Sequence, residues 1–295
     1  MSKSMSSIRA LSLTTTIDAA LAAAVARLAG ATDTPRLDAE LLLADALDCN
    51  RAALLTHGDR LLGEDARHRF GDLIARRLRG VPVAHLLGRR EFWSLSLRVT
   101  PDVLIPRPES ELLIELALAR IPPAPSLALA DLGTGSGNIA LALARERPRC
   151  IVTATDNSTP ALAVARDNAR RLAITNVRFH HGDWFAPLHG ERFALIVSNP
   201  PYVAADDPHL SEGDLRHEPR QALVAGPEGL DALRHLIQQA PEYLSPGGRL
   251  LLEHGHDQGA AVRELFKGRG YDQIETHRDL ANHERVTMGR HPHDR

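Results

Sequence analysis

The stretch Phe193-Ala194-Leu195-Ile196-Val197-Ser198-Asn199-Pro200-Pro201-Tyr202 constrains this chain more than any other. Its first half is a short apolar run rich in branched residues, the pattern of a strand covered on both faces. Two successive prolines follow, and neither can donate to a ladder, so strand pairing ends there. Proline also biases the residue before it toward extended backbone, which sets the directions of the Asn199 and Pro200 carbonyls. The product is a rigid group of acceptors with an aromatic ring beside it, at the carboxyl end of a buried strand. That end is where open α/β sheets bind ligands. A stiffened loop is the alternative for a bare Pro-Pro pair, but Asn before it and Tyr after it favour a site.

The chain around this stretch alternates strand and helix from Pro125 onward, which predicts a parallel sheet covered on both faces. Strands are expected at Leu127–Asp131, Ile151–Asp156, Val177–His180, Ala194–Ser198 and Arg249–Glu253, with Tyr271–Thr276 and Arg285–Gly289 closing the chain. Helices should fill Gly137–Arg145, Pro160–Leu172, Gly229–Tyr243 and Gln258–Lys267. Upstream, residues 15–88 read as short helices, the first capped by Thr16 and the second by Thr34 ahead of Pro35. In that second helix Leu37, Leu41, Ala44 and Leu47 share one face. Arg76, Arg77, Arg79, Arg89 and Arg90 form a basic cluster, either a solvated face or a docking face for an acidic partner. Residues 1–14 are polar and aperiodic, the pattern of a disordered tail. Between the helices and the sheet, Trp93, Leu95, Leu97 and Val99 alternate with polar residues; paired with Val103–Ile105 across Pro101-Asp102, they make a linking hairpin within residues 89–106. A third segment, 107–295, then holds the sheet.

Composition narrows the function classes. Lys+Arg 35 against Asp+Glu 37 gives a net charge of -2, which offers no broad footprint for nucleic acid. The two cysteines, Cys49 and Cys150, match no metal-ligand spacing and fit free thiols in a reducing compartment. No apolar run reaches the roughly 18 residues of a membrane span. A cytoplasmic protein without metal is the expectation.

Three further stations sit at successive strand ends. Asp131-Leu132-Gly133-Thr134-Gly135-Ser136-Gly137 joins the first strand to its helix, where glycines let a ligand approach the main chain and the helix start favours a negative group. No Gly-Lys-Ser/Thr follows, which excludes a Walker loop, and the glycine register does not fit a dinucleotide fingerprint. Asp156 ends the second strand and suits two ribose hydroxyls, or else a helix cap. Asp183 and Trp184 follow the third strand, an acceptor for an exocyclic amine next to a flat apolar ring.

The order of these stations resembles the class I S-adenosylmethionine-dependent methyltransferases, and Asn199-Pro200-Pro201-Tyr202 resembles the motif of amino-group N-methyltransferases. Pro82–Gly88, Phe92-Trp93, Ile105-Pro106-Arg107-Pro108-Glu109, Glu284–Thr287 and Leu37–Leu42 resemble the HemK/PrmC family; Ser110 stands where that family's loop has threonine. The resemblance implies a Rossmann-like α/β fold with a seven-stranded, mostly parallel mixed sheet and a small N-terminal helical bundle that docks the substrate. It implies N-methylation of the glutamine amide in the Gly-Gly-Gln motif of class-1 peptide chain release factors, using S-adenosyl-L-methionine; nothing in the sequence demands more than a monomer. Asp131, Leu132, Gly133, Thr134 and Gly135 would then hold the cofactor's methionine part, Asp156 its ribose, and Asp183 and Trp184 its adenine. Asn199 would touch cofactor and substrate, and Asn199, Pro200, Pro201 and Tyr202 would bind the glutamine, with Asn199, Pro200 and Tyr202 catalytic. No strong general base stands out in this stretch. The rivals are a nucleic-acid amino-group methyltransferase, a non-catalytic release-factor binder and a nucleotide-dependent dehydrogenase; the last has no use for the Asn-Pro-Pro-Tyr motif.

Overall fold

The structure, a computed structural model, describes residues 15–123 and 126–292; the expected tail at residues 1–14 lies outside them. Two compact units are present, Met1–Leu87 and Gly88–Arg295.

The first unit is helical: α1 Ile17–Leu28, α2 Pro35–Ala46, α3 Arg51–Thr56, α4 Glu64–Leu78 and α5 Val83–Leu87. Thr16 caps α1, its hydroxyl accepting from the Ala19 N–H at 3.2 Å. Leu21, Leu28, Leu42, Leu43, Phe70 and Ile74 form the core. Two expectations hold only in part in α2. Thr34 stands at the N-cap ahead of Pro35 as expected, but its side chain makes no capping bond; its hydroxyl donates to Asp38 at 2.8 Å instead. The buried residues are Asp38, Ala39, Glu40, Leu42, Leu43, Ala44 and Ala46, so Ala44 of the expected stripe is buried while Leu37 is exposed. The reason is one polar contact. Arg77 Nε of α4 donates to Asp38 Oδ2 at 2.7 Å, both side chains are buried, and Thr32 and Thr34 complete the carboxylate's partners. Satisfying that pair turns α2 so that Asp38, not Leu37, faces inward. Arg77 therefore drops out of the basic cluster read from the sequence.

The second unit begins with a hairpin, β1 Arg89–Phe92 and β2 Leu95–Arg98. The inward alternation of Leu95, Leu97 and Val99 is as expected, but their partner strand is not Val103–Ile105. The chain reverses at Trp93 and Ser94, whose φ values of 50° and 55° make the two-residue turn that matches strand twist. Phe92, Leu95 and Leu97 pack in one core with Leu113, Ile114 and Leu129, so the hairpin is part of this unit.

The elements that follow are α6 Glu111–Arg120, β3 Ala128–Leu132, α7 Asn138–Glu146, β4 Ile151–Asp156, α8 Thr159–Arg171, β5 Val177–His181, β6 Phe193–Ser198, α9 Asp231–Gln239, β7 Leu244–Glu253, α10 Gly259–Gly268, β8 Asp272–Arg278 and β9 Glu284–Arg290. Seven strands form one sheet in the order β5-β4-β3-β6-β7-β9-β8. β9 alone runs opposite to the other six strands. One apolar cluster gathers α6 and α7 on the sheet; another gathers α9, α10, Phe185 and Leu188. In α7 every residue from Ile139 to Ala144 is buried, as a helix pressed between sheet and neighbours requires. The strand order reverses between β3 and β6, which places a crevice at the carboxyl ends of β3, β4 and β6. No helix among the described residues is long and apolar enough to cross a membrane.

Candidate active site

The glycine loop is shaped from below by Asp131. Its fully buried carboxylate accepts from the Thr134 hydroxyl at 2.6 Å and the Ala140 N–H at 3.1 Å, which ties the loop to the first turn of α7. Gly133 and Thr134 N–H groups both bond the Thr155 carbonyl at 2.9 Å, so the loop folds over β4. Gly133, at φ 73°, is required for a second reason: a Cβ there would meet Trp184 Cζ3 at 3.1 Å. Trp184 itself sits in the left-handed region, at φ 46°. Holding a non-glycine residue there costs on the order of 1–3 kcal/mol, and such strain gathers at ligand sites.

Asp156 closes the next strand. Its Oδ2 accepts from the Gly135 N–H and its Oδ1 from the Ser158 N–H, both at 2.8 Å. Ser158 in turn caps α8, accepting from the Ala161 N–H. The helix cap foreseen as the alternative role for Asp156 thus belongs to Ser158, and each Asp156 oxygen keeps capacity for a further donor.

These residues open on a cleft at the carboxyl ends of the strands. Of the residues singled out from the sequence, Gly133, Gly135, Asp156, Asp183, Trp184, Asn199 and Pro201 line it. Asp131, Leu132, Thr134, Pro200 and Tyr202 are not among the residues that line it. Two lining segments carried no functional signal in the sequence: Val103-Leu104, read there only as a strand, and Pro219 with Gln221 and Ala222. Glu218 joins them: its buried carboxylate accepts from the Ile105 N–H at 3.1 Å and from Arg107 Nη2. Those partners are more than a hundred residues apart in the chain, so only the fold reveals the link.

The Asn-Pro-Pro-Tyr loop is held at each end. Ser198 donates to the Leu132 carbonyl at 2.6 Å, fixing where β6 stops. Asn199 Nδ2 donates to Ser110 Oγ at 3.0 Å. The Tyr202 hydroxyl donates to Glu253 Oε1 at 3.3 Å, and the Tyr202 carbonyl accepts from Gln258 Nε2 at 2.9 Å. A Cβ on Gly229 would come within 2.3 Å of that carbonyl, so the glycine admits the loop. Glu253, at the end of β7, is the residue that sequence reading placed on a strand without giving it a role. A carboxylate closing the buried run Leu250-Leu251-Leu252 was the available signal.

Acidic groups crowd the carboxyl end of the sheet. Burial, assisted by Asp156, pushes the Asp131 carboxyl up to about 7 against its bonds from Thr134 and Ala140. Burial likewise raises Asp156. Glu253 is pushed up to about 7, and the Tyr202 phenol is raised first by burial and then by the Glu253 charge. Among the described residues no group of three or more His, Cys, Asp or Glu is arranged to hold a metal ion.

A crossover sheet with a glycine loop, a strand-end acid and an Asn-Pro-Pro-Tyr loop around one cleft defines a Rossmann-like methyltransferase. Residues 19–88 match the model of the PrmC N-terminal domain, and residues 109–215 that of the methyltransferase small domain. The release factor glutamine methyltransferase of Pseudomonas aeruginosa is 54% identical over 254 residues, 86% of this chain and 92% of that one. Its counterpart in Vibrio cholerae is 50% identical over 285 residues, 96% of this chain and 99% of that one. A methyltransferase from Pyrococcus furiosus shares the fold with a TM-score of 0.52 at 19% identity, covering 74% of this chain and 97% of that chain. The chain belongs to the release factor glutamine methyltransferase family.

Proposed function

We propose that this protein transfers a methyl group from S-adenosyl-L-methionine to the side-chain amide nitrogen of the glutamine in the Gly-Gly-Gln motif of class-1 peptide chain release factors. The observation that carries this reading is the direction of Asn199. Its Nδ2 is engaged by Ser110, which leaves Oδ1 as the free acceptor beside the cleft. An amide nitrogen is a weak nucleophile because its lone pair is shared with the carbonyl. Asn199 Oδ1 and the Pro200 carbonyl accept its two N–H bonds, fix its plane and stabilise the positive charge that grows on nitrogen.

The residues present fit the cofactor. Gly133 and Gly135 bring main chain to the cleft, Asp156 retains acceptor capacity for two ribose hydroxyls, and Asp183 and Trp184 flank an adenine edge. When bound, the cofactor supplies an electrophilic methyl group for in-line transfer. Tyr202 serves from behind the loop, locking the end of the motif through its hydroxyl and carbonyl. The helical unit is the part assigned to gripping the release factor, and the enzyme works as a cytoplasmic monomer. A nucleic-acid substrate would use the same cofactor residues, but the net charge of -2 speaks against it.

Mass spectrometry of a release factor incubated with this protein and S-adenosyl-L-methionine tests the reading. One added methyl on the Gly-Gly-Gln glutamine is expected, with Asn199→Ala slowing transfer by about 10²–10³-fold. No added methyl, while the cofactor still binds, would discard the substrate.

A further inference from the structure

Beside the Asn-Pro-Pro-Tyr loop lies a surface that the transfer reaction as described does not use. β8 runs parallel to β6 and β7, because β7 and β8 are each antiparallel to β9, so the turn after β8 lies at the same end of the sheet as the motif. That turn and the start of α6 enclose a second groove, with Pro108, Glu109, Leu112 and Glu115 on one wall and Leu280 and Ala281 on the other. Glu109 directly precedes Ser110, whose oxygen receives Asn199 Nδ2. Behind the other wall, Arg285 donates to Asp279 and to the His254 carbonyl, next to the Glu253 that binds Tyr202. Both walls are thus tied to the loop assigned to the glutamine. We propose that this groove receives the release-factor backbone beside the acceptor glutamine, and that it fits a flank carrying a basic side chain and an apolar one.

A methyl acceptor inside a protein chain creates the need for such a surface. With the cleft given over to the cofactor, the backbone on either side of the glutamine leaves over the protein surface, and this groove continues from the motif. Leu280 is fully exposed, the most exposed large apolar side chain among the described residues. A single exposed leucine is ordinary, but this one is held in place on the groove's wall. Asp279 Oδ1 accepts from the Ala281 and His283 N–H groups, both at 3.0 Å. The Asp279 N–H and carbonyl also bond His283 and Asn282, each at 2.9 Å. The turn is locked with its leucine in water.

The charge offered by the groove is negative. Arg278 pairs with Glu284 and Asp279 with Arg285, whereas Glu109 and Glu115 stand exposed. Glu111 lies between them and accepts the Trp93 N–H at 2.8 Å. Carboxylates at a rim draw in a cationic partner and repel an anionic one. A phosphate backbone is therefore the chain this groove turns away, and a basic polypeptide segment the one it accepts.

This inference rests on the proposed reaction, and its test separates the two. Methylation of a release factor is measured for the wild type, for Leu280→Ser and for the double variant Glu109→Gln with Glu115→Gln, at several salt concentrations. Photo-crosslinking from p-benzoylphenylalanine placed at position 280, mapped by mass spectrometry, gives a readout that needs no catalysis. Leu280→Ser should raise KM for the release factor about tenfold, the effect of losing one buried leucine contact. Its kcat should stay the same, because contacts made equally in ground and transition states shift KM alone. The double variant should raise KM about fivefold at low salt, and the difference should vanish by about 1 M salt, where screening acts within roughly 3 Å. The crosslink should fall within about ten residues of the Gly-Gly-Gln motif, the reach of a roughly 30 Å extended segment. A KM for Leu280→Ser within twofold of wild type, or a crosslink that lands elsewhere on a methylated release factor, overturns the groove and leaves the reaction standing. A crosslink beside the motif without methyl transfer by the wild type supports the groove and overturns the reaction alone. Neither crosslink nor methyl overturns both.

Discussion

Glu218 holds the far wall of the cleft, and its removal has a calculable cost. Its two oxygens receive the Ile105 N–H and the Arg107 guanidinium, while Leu104 on one segment and Pro219, Gln221 and Ala222 on the other face the cleft. Glu218→Ala deletes both acceptors, leaving a buried N–H without a partner and Arg107 without its counter-charge. Hydrogen bonds to charged groups are worth roughly 1.5–3 kcal/mol each, so the two together contribute about 3–6 kcal/mol. If half of that reaches the cleft, cofactor binding weakens by about 10–100-fold. Glu218→Gln preserves an acceptor for Ile105 and should cost only a few-fold. The assay is calorimetric titration with S-adenosylhomocysteine, with thermal melting in parallel. Acid should imitate the mutation. Burial outweighs the Arg107 charge and raises the Glu218 carboxyl, so the pair is lost sooner than for an ordinary glutamate as the pH falls. Glu218→Ala binding within twofold of wild type, at an unchanged melting temperature, would refute the claim that this carboxylate holds the wall.

Other consequences follow from the same geometry. Asp38→Ala strands the buried Arg77 charge and should destabilise the helical unit by about 3–5 kcal/mol in urea unfolding, whereas Asp38→Leu with Arg77→Met should cost much less. Gly133→Ala places a methyl 3.1 Å from the Trp184 ring at φ 73°; a loss of about 1 kcal/mol and a shifted tryptophan emission are expected. Burial pushes the Asp131 carboxyl up to about 7 and raises that of Asp156 above its ordinary value in the free protein. A sulfonium ligand favours their charged forms, so binding should release protons and strengthen as the pH rises toward neutrality. Calorimetry in two buffers of different ionisation enthalpy checks this, and S-adenosylhomocysteine, which lacks the sulfonium charge, should show a smaller effect.

Legibility divided along a physical line. The sheet strands from Ala128 to Arg290 were readable because each carries its own apolar run and turn residues, and their ends located Gly133, Gly135, Asp156, Trp184 and Asn199. Local signals failed where a distant group decides. The orientation of α2 depends on Arg77, 39 residues beyond Asp38. The hairpin's true turn depends on Trp93 and Ser94 accepting positive φ, which neither residue type advertises. Asn168 was read only as part of a helix, yet it is fully buried and binds the Arg98 backbone from both its oxygen and its nitrogen while also reaching the Ser136 carbonyl. Glu218 and Glu253 belong to the same class: each is chosen by partners from other strands and loops, and nothing beside them in the chain names those partners.

The clamping of the Asn-Pro-Pro-Tyr loop has a consequence for where disorder is lost. Two prolines limit its backbone, Gly229 and Gln258 fix the Tyr202 carbonyl, and Ser110 holds the Asn199 side chain. The freedom of these groups is surrendered when the chain folds, so little remains to be surrendered when a substrate arrives. Nearly all the ordering at the moment of encounter then falls on the incoming segment. A glutamine in a glycine-rich stretch has the most freedom to lose, and a rigid receptor is the form of site that can impose one geometry on it.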